Sequence, residues 1–560
     1  MKMMLQLIKY CVLLTLILCR ETVSQEPLDL LRGVSEEVPL ATTALTGHQF
    51  GFGSPNRAAD HATVAMNSNK DILVAFHTVR DWTFPGELLP PPGDTTYQGG
   101  MKQVEVAFFE YDDLAGYDKW NFVETRILGS VEHNPISNLV QPLVKCERPD
   151  VIAVGDRFFV VWTRRYSSNS GFPNQENEPA SLECAWVEIE NNGMTVHGTD
   201  SPVAGPGLGY ILDAHLPGGS HDFHIRECAG VADAVALNGD DPNLLEVAVV
   251  YPHYLSSTST QPIHRNFELR VVKCEFNVGT KARTKTEYPP LWGSVPFHGA
   301  PAPAGVITPG LILPDLAPST EQRAFWLVHE RQKLMSSGGT PSELVPDGRI
   351  KLEYYLLEDF QTNPPGEWVQ KAAKTFLGTT GSWSWKRRPM ISTFAEDTSG
   401  QQVVSICFAT SQSGENPVDA SSNVVYEHWE YEQGSLISPP TYPGISLPLW
   451  DDLEFNPSFT LDRPVPVHGR TMPQVQIRRC YFTGTPYGST SPTKLLHWNP
   501  FTVPGTESLV DTDLYNNFTG LRRPAATYKY FPLESIPDYY AATWEKLDEN
   551  NVKRVYINME

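Results

Sequence analysis

Apolar and polar residues alternate with a period of two along most of the chain, and the alternating runs are bounded by Gly, Asp, Asn and Pro. A period of two is typical of a β-strand with one buried face, and the bounding residues are typical of turns. The helical period of 3.6 residues is nearly absent. The pattern therefore predicts an all-β protein.

The predicted strands follow one template that recurs along the chain. Each copy opens with a basic or polar residue before a short apolar strand, turns into a second strand rich in Val, Phe and Trp, and ends with a third, alternating strand. The longest gap between copies is the last one, and its strand-like segments 474–482 and 494–498 leave room for a divergent extra copy. The six clear copies begin near Arg57, Arg148, Arg226, Leu313, Arg387 and Arg522.

Four-stranded units arranged radially form a β-propeller, which protects its sheet edges by closing on itself. The template predicts a six-bladed propeller, with seven blades as the alternative. The last copy ends at its third strand, close to the C-terminus, so the N-terminal segment 38–52 is expected to close this blade. A chain of stacked β-sandwich domains is a second interpretation, but no connection between copies has the composition of a flexible linker.

The N-terminus has the pattern of a secretory signal peptide. Lys2 and Lys9 precede an apolar run over residues 10–19, and small residues follow before Gln25. This run is too short to cross a hydrocarbon core of about 30 Å. We expect residues 1–24 to be a signal peptide, residues 25–560 to form a single propeller domain, and the protein to be secreted (extracellular or periplasmic) with no membrane span.

Composition narrows the function classes. The 560 residues carry a formal net charge of −22, which argues against non-specific binding to nucleic acid or to anionic membranes. Six cysteines follow the predicted signal peptide; an even number in an exported chain permits disulfides, and buried free thiols are the alternative. No C-x-x-C pair is present, so a structural zinc site is not expected.

Polar residues recur where the template starts its first strand and ends its second. In propellers these two positions meet at one rim of the central channel. Arginines that converge there suit a carboxylate or sulfate, because each guanidinium donates two parallel hydrogen bonds. The alternative is that they bridge neighbouring blades. The predicted substrate-binding residues are Arg148, Arg226, Arg388, Arg523 and His329.

Histidines at the same positions suggest proton transfer. A histidine among arginines has a depressed pKa and stays neutral near pH 7, as a general base requires. The predicted catalytic residues are His61, His77, Tyr251 and His253. The sequence predicts no catalytic metal and no cofactor, and leaves a structural Ca or Zn ion open.

With these residues the chain resembles carbohydrate-active β-propellers, namely sialidase-like hydrolases and propeller polysaccharide lyases. The first copy, His61 through His77, is similar to the lyase blade that carries paired histidines, with Tyr251 and His253 as partners. The resemblance implies that arginine neutralises a uronate carboxylate while His or Tyr abstracts the adjacent proton. The Ser-x-Asp-x-Gly-x-Thr-Trp turn of sialidases has no intact copy here.

We therefore expect a secreted carbohydrate-active enzyme that acts on an anionic polysaccharide, uronate or sulfated, by β-elimination. A non-catalytic propeller that binds glycan or protein is the first alternative, and a sialidase-like glycoside hydrolase is the second. The expected partner is a polysaccharide or glycan, with no nucleic acid.

Overall fold

The computed structural model of the chain describes residues 59–80, 101–113, 120–129, 143–167, 180–190, 193–198, 210–215, 232–237, 239, 241–255, 266–291, 314–337, 340–358, 366–376, 385–395, 402–411, 422–432, 435–437, 453–454, 465–471, 476–486, 494–498, 508–512, 522–530, 538–547 and 553–559. Within these ranges the regular secondary structure consists of β-strands, so the all-β prediction is confirmed. No helix in the described ranges is long and apolar enough to cross a membrane. The predicted signal peptide and the predicted closing strand at 38–52 lie outside them.

The first sheet has nine strands. Its pairings are antiparallel except for one parallel bridge, Lys102 with Lys145, which joins β3 to β5 and so merges the first two copies of the template. Its strands are β1 (Ala59–Met66), β2 (Ile72–Arg80), β3 (Met101–Tyr111), β4 (Trp120–Gly129), β5 (Leu143–Val154), β6 (Arg157–Ser167), β7 (Ala180–Glu190), β8 (Gly193–His197) and β9 (Tyr210–His215).

Five smaller antiparallel sheets follow in chain order. The first two comprise β10 (Asp233–Leu237), β11 (Leu244–Leu255), β12 (Asn266–Asn277) and β13 (Arg283–Glu287), then β14 (Asp315–Pro318), β15 (Ala324–Ser337), β16 (Thr340–Glu358) and β17 (Glu367–Phe376). The third comprises β18 (Trp385–Ala395), β19 (Gln402–Ser411), β20 (Ser422–Glu432) and β21 (Ser435–Ile437). The last two comprise β22 (Leu453–Glu454), β23 (Val465–Thr471), β24 (Gln476–Pro486), β25 (Lys494–Trp498) and β26 (Ser508–Thr512), then β27 (Arg522–Tyr530), β28 (Asp538–Leu547) and β29 (Lys553–Met559).

The sheets form a propeller-like ring. The strand β1 contacts β5, and contacts continue from β5 to β10, β14, β18, β23 and β27, which returns to β1. We call these the first strands. The small sheets number five beside the nine-stranded sheet, so their count differs from the six or seven blades predicted. The merging of two copies through the β3–β5 bridge accounts for part of that difference.

The core lies between neighbouring sheets rather than in one central cluster. Phe159 and Trp186 of the nine-stranded sheet pack with Val249 and Phe276 of the next sheet, all of them buried. A second layer, which closes the ring, joins β1–β3 to β28 and β29 and includes Phe76 and Tyr539. Apolar burial at about 25 cal/mol per Å² therefore stabilises the sheets whose side chains are described through contacts with their neighbours.

The two faces of the ring differ in the length of their connections. We call the face where the first strands start the bulge face, and the opposite one the turn face. On the turn face, β5 and β6 are joined by a tight turn in which Gly155 has φ +63°, a conformation that glycine adopts without steric cost. On the bulge face the ends of consecutive strands are farther apart in sequence, as from Arg80 to Met101, from Ser167 to Ala180 and from Leu255 to Asn266.

The four cysteines whose side chains are described carry free thiols and are buried: Cys146, Cys184, Cys274 and Cys407. Buried thiols, the alternative to disulfides, therefore describe these four. Cys228 lies outside the described residues, and for Cys480 the strand β24 gives the backbone only.

Candidate functional site

A β-bulge interrupts the start of four first strands at one equivalent position. In β1, for example, Asp60 pairs with His77 and Thr63 pairs with Ala75, so two residues oppose one on the partner strand. The same register shift occurs in β5, β18 and β27. The first residue inside the four bulges is His61, Arg148, Arg388 and Arg523, respectively.

Local sequence explains why the bulges form there. The residue after the arginine is proline in three of the bulges, and proline has no N–H to donate to the strand ladder. Proline therefore does not suit a hydrogen-bonded position of the ladder, and a bulge leaves it unpaired. His61 has φ 54° and Arg148 has φ 53°, in the left-handed region that costs a non-glycine residue about 1 kcal/mol. Backbone conformations of this kind concentrate at functional sites.

His61 and His77 form a stacked pair, as the sequence predicts for neighbours in one blade. Their ring centroids lie 4.5 Å apart with an interplanar angle of 29°. The His77 ring is fully buried, whereas His61 is partly exposed. Two positively charged rings at this separation would repel each other, so the stack favours at least one neutral imidazole.

Backbone contacts connect this pair to both neighbouring first strands. The Arg148 N–H donates to His77 Nδ1 at 3.1 Å, so Nδ1 carries no proton and the neutral His77 ring holds its proton on Nε2. The His61 N–H donates to Glu545 Oε1 at 2.6 Å. Glu545 pairs with Arg522 directly before the bulge of β27, as His77 pairs with Asp60 directly before the bulge of β1. In both cases a side chain of one unit accepts the bulge N–H of the next unit.

Buried carboxylates on third strands accompany the second-strand ends. Thr78 Oγ1 donates to Glu105 Oε1 at 2.6 Å. Arg164 and Glu183 form an ion pair at 2.9 Å, with each side chain 2% exposed. Glu105 and Glu183 occupy equivalent register positions, opposite Phe76 and Trp162. The sequence analysis singled out neither carboxylate, although each directly precedes an apolar run.

Aspartates connect the first strands on the other side of the ring. In three consecutive units an aspartate side chain of the first strand accepts a backbone N–H from the next first strand. The sequence signal for these residues is an Asp followed by an apolar run. Asp233 was missed because the third copy was aligned from Arg226. The donor–acceptor distances are 3.1 Å for Ala234 to Asp150, 2.5 Å for Leu316 to Asp233, and 2.6 Å for Ile391 to Asp315.

Tyr251 lies away from the histidine pair, at a core position. Register places it where other units carry Phe76, Trp162 and Trp544, and it is 3% exposed. Its hydroxyl donates to Asp213 Oδ2 at 2.9 Å. Burial, followed by the negative charge of Asp213, raises the pKa of Tyr251 well above its usual value, so the phenol stays protonated.

His329 occupies the same core position in its own unit. Its Nε2 lies 3.1 Å from Glu353 Oε2, and both side chains are buried. Burial alone would raise the pKa of Glu353, but the hydrogen bond and charge of His329, together with Lys351, lower it to about 2. His329 is therefore engaged with a carboxylate of its own sheet.

The structure thus brings together three of the predicted site residues: His61, His77 and Arg148. We call them the histidine cluster. The backbone of Arg523 lies on β27, which adjoins β1, and the backbone of Arg388 lies on β18, which does not. His253 pairs through its backbone with Glu268, and Arg226 lies outside the described residues. Among the described residues, no group of three or more His, Cys, Asp or Glu is arranged to hold a metal.

Comparisons with known proteins find distant structural similarity to carbohydrate-active propellers. A Trypanosoma rangeli sialidase in complex with the inhibitor DANA is matched over 93% of this chain and 59% of that chain, at 9% identity and a TM-score of 0.34. A Hadza microbial sialidase is matched over 68% and 57%, at 10% identity and a TM-score of 0.32. A B. megaterium levansucrase mutant is matched over 74% and 93%, at 12% identity and a TM-score of 0.31.

The chain spans less than two thirds of the length of each of these two sialidases. No family model and no curated protein matches it. Likenesses this distant carry no argument about its activity, which has to be argued from the histidine cluster itself.

Proposed function

We propose that this protein is a carbohydrate-active propeller that binds the acidic group of an anionic glycan, uronate or sulfated, on its bulge face. One observation carries the proposal: four first strands place a basic or imidazole residue at an equivalent bulge, namely His61, Arg148, Arg388 and Arg523. Arginine suits this role because a guanidinium can donate two parallel hydrogen bonds to a carboxylate or sulfate.

The number of units follows from the same ring. We infer that the nine-stranded sheet comprises two units, β1–β4 and β5–β9, which a single bridge connects. The ring then has seven units, with β22–β26 as the divergent one. The series of contacts between first strands supports this count. A crystal structure with six radial sheets would contradict it.

For the reaction we propose β-elimination at a uronate. Arg148 binds the carboxylate, and His61 takes the proton from the adjacent carbon. The electron pair of that C–H bond forms the new C=C bond, and the glycosidic C–O bond breaks towards its oxygen, which receives a proton from water. His61 then returns its own proton to water, so the protons balance. His77 serves as a positioning residue, because its ring stacks on His61 and accepts the Arg148 N–H.

One observation favours the non-catalytic alternative as a second candidate. The fully buried His77 has a structural role that is complete without substrate, since it connects β2 to β5 through the Arg148 N–H. In that case the bulge face binds the glycan and releases it unchanged.

The test separates binding from turnover. Incubate the full chain with polygalacturonate, alginate, a sulfated polysaccharide and a sialoside, and follow both the absorbance of the unsaturated product and the release of reducing sugar. Measure affinity in parallel by calorimetry. We expect His61→Ala to abolish turnover but keep binding, and Arg148→Ala to weaken binding at least tenfold.

The matched control is Arg126→Ala, because Arg126 is exposed on the outer strand β4, away from the histidine cluster. Binding without turnover would establish the non-catalytic candidate. Sialic acid release would establish the hydrolase alternative. If the protein neither binds nor turns over any of these glycans, the proposal is overturned.

We also propose that residues 1–24 are a signal peptide that directs export, and that residues 25–560 form a single propeller domain. The support is the charged, apolar and small-residue order of the N-terminus. N-terminal sequencing of the protein from its own cells tests this, and an intact Met1 would contradict it.

A further inference from the structure

An ammonium group lies among aromatic rings where the last unit of the ring meets the first. Lys70 belongs to the turn between β1 and β2, on the turn face. Its Nζ lies 4.1 Å from the centroid of the Tyr111 ring and 5.0 Å from the centroid of the Tyr539 ring. Trp120 contacts both tyrosine rings edge to face, with centroids 5.4 Å and 6.1 Å apart. We call Tyr111, Trp120 and Tyr539 the aromatic cage.

Hydrogen bonds hold the cage and the lysine in place. Trp120 Nε1 donates to the backbone oxygen of Lys70 at 2.8 Å, and the Tyr111 and Tyr539 hydroxyls lie 3.1 Å apart. The Lys70 backbone is left-handed, with φ 70°. Its side chain is only 8% exposed, so the ammonium group is largely removed from water. A cation that has lost water gains most from nearby ring faces.

The rings attract the cation as neutral groups. Burial, followed by the hydrogen bond with Tyr539, raises the pKa of Tyr111 above its usual value, so its phenol stays protonated. Asp113 Oδ1 lies 3.6 Å from Lys70 Nζ, but the Asp113 side chain is 74% exposed. An ion pair with so exposed a carboxylate contributes little. The cage is therefore the desolvated part of this cation site.

A second lysine makes the equivalent connection through a carboxylate. Lys281 lies in the turn between β12 and β13, has φ 59°, and reaches back to the preceding unit as Lys70 does. Its Nζ lies 2.5 Å from Glu188 Oε1, and its side chain is 37% exposed. The nearest ring contact recorded for it is Phe276, whose centroid is 6.0 Å from Nζ. The two lysines share a backbone conformation and differ in the chemistry of their partners.

We propose that the aromatic cage is a binding site for a primary alkylammonium group, and that Lys70 of the same chain is its resident ligand. Tyr111 and Trp120 come from the first unit and Tyr539 from the last, so an ammonium group bound there attracts both sides of the seam. Binding of Lys70 therefore fastens the ring where it closes. The cage lies on the turn face, opposite the proposed glycan site, so either could fail without the other.

The test replaces the resident ligand by a soluble one. Lys70→Ala removes the atoms from Cγ to Nζ, which correspond to n-propylammonium. The Tm of the full chain is then measured with increasing n-propylammonium chloride. We expect the variant to have a lower Tm than the wild type, and n-propylammonium to restore several degrees of it in a saturable way, because a ligand that binds only the folded state stabilises that state. The wild type should not respond, because Lys70 occupies the cage.

Three controls separate the cage from general effects. n-Propanol has the same stem without the charge, and sodium chloride supplies the same ionic strength; neither should restore the Tm of Lys70→Ala. Lys281→Ala is the matched variant, and n-propylammonium should restore it no better than sodium chloride does, because its site is an exposed ion pair. Failure of n-propylammonium to restore Lys70→Ala, equal restoration by n-propanol, or an equal response of the wild type or of Lys281→Ala would overturn the proposal.

Two further variants decide the matter if Lys70→Ala does not fold. Lys70→Met keeps the stem but loses the charge, and should lower the Tm by more than Lys281→Met does. Lys70→Arg keeps a cation for the rings and should lose less than Lys70→Met. If Lys70→Met cost no more than Lys281→Met or Lys70→Arg, the cage would not be a cation site.

Discussion

Two parts of the ring connect their units by different chemistry. On either side of β1, a bulge N–H donates to a side chain of the preceding unit, which is His77 at one junction and Glu545 at the other. From β5 to β18, by contrast, a first-strand N–H donates to an aspartate, as from Ile391 to Asp315. The first part holds left-handed residues, an imidazole stack and the Glu545 carboxylate, whereas each of the three junctions in the second part uses an aspartate carboxylate.

The difference suggests that the aspartate junctions stabilise the ring, whereas the β1–β5 junction belongs to the proposed site. Hydrogen bonds to ionised carboxylates contribute about 1.5–3 kcal/mol, whereas a neutral pair contributes about 0.5–1.5 kcal/mol. The aspartate junctions therefore suit a supporting role. The β1–β5 junction relies on a neutral imidazole and tolerates a strained backbone at Arg148. Backbone strain of this kind concentrates at functional sites, in keeping with the ligand site proposed at this junction.

The largest expected effect is a loss of stability at low pH. It comes from Glu353, in the part of the ring whose units are joined by aspartates. The pKa of Glu353 is about 2 in the folded protein against an ordinary value of 4.5. Its contribution to stability is therefore present above pH 4.5 and is lost as the pH falls towards 2. At 1.36 kcal/mol per pKa unit, it amounts to about 3 kcal/mol.

Urea unfolding of wild type and Glu353→Gln across this pH range measures that contribution. The wild type should lose about 3 kcal/mol more than the variant on acidification. Parallel losses in the two proteins would show that the Glu353–His329 pair does not stabilise the fold.

The second effect breaks one aspartate junction. Asp315→Ala removes the acceptor for the buried Ile391 N–H and should lower the free energy of unfolding by about 2 kcal/mol. Asp315→Asn keeps an oxygen acceptor and should lose less than half as much. Chemical denaturation at neutral pH checks both, and equal losses would mean that the hydrogen bond is not the cause.

The third effect breaks the imidazole junction. His77→Phe keeps a buried ring but leaves the Arg148 N–H without its acceptor, so we expect a loss of about 1 kcal/mol. His77→Asn, which offers an amide oxygen, serves as the control for that hydrogen bond. If the cost of His77→Phe exceeded that of Asp315→Ala, the comparison between the two parts of the ring would be reversed.

The smallest expected effect tests whether the backbone strain at Arg148 accompanies glycan binding. Arg148→Gly relieves the positive φ and should stabilise the fold by about 0.5 kcal/mol while it removes glycan affinity. The matched change Arg126→Gly sits in a regular strand and should be destabilising with no loss of affinity. Thermal unfolding and calorimetry with a polyuronate measure both quantities. Destabilisation by Arg148→Gly would show that the bulge is not strained.

Much of the strand order was predictable from the sequence. The copies predicted to begin near Arg387 and Arg522 start with β18 and β27, and the divergent segments 474–482 and 494–498 overlap β24 and β25. Alternation reports which face of a strand is buried, and turn residues report where the strand ends. Both signals are local, so they survive without tertiary information.

The site was less predictable because side-chain direction in a strand reverses at every residue. Tyr251 and His329 were assigned to the same ring position as His77, but register places them one residue earlier, where the side chain enters the core. The bulges add to this difficulty, since the extra residue at His61 shifts the parity of β1 and leaves the composition unchanged. The His61–His77 stack could be predicted because both residues lie in one hairpin.

Closure of the ring between β27 and β1 has a mechanical consequence. An open array of repeats frays from its terminal members, but here the described part of the chain begins and ends in the same apolar layer. The Tyr111 and Tyr539 hydroxyls lie 3.1 Å apart across this seam, and the His61–Glu545 hydrogen bond lies at its bulge-face end. A force that pulled these strands apart would have to shear that seam before any unit could unravel.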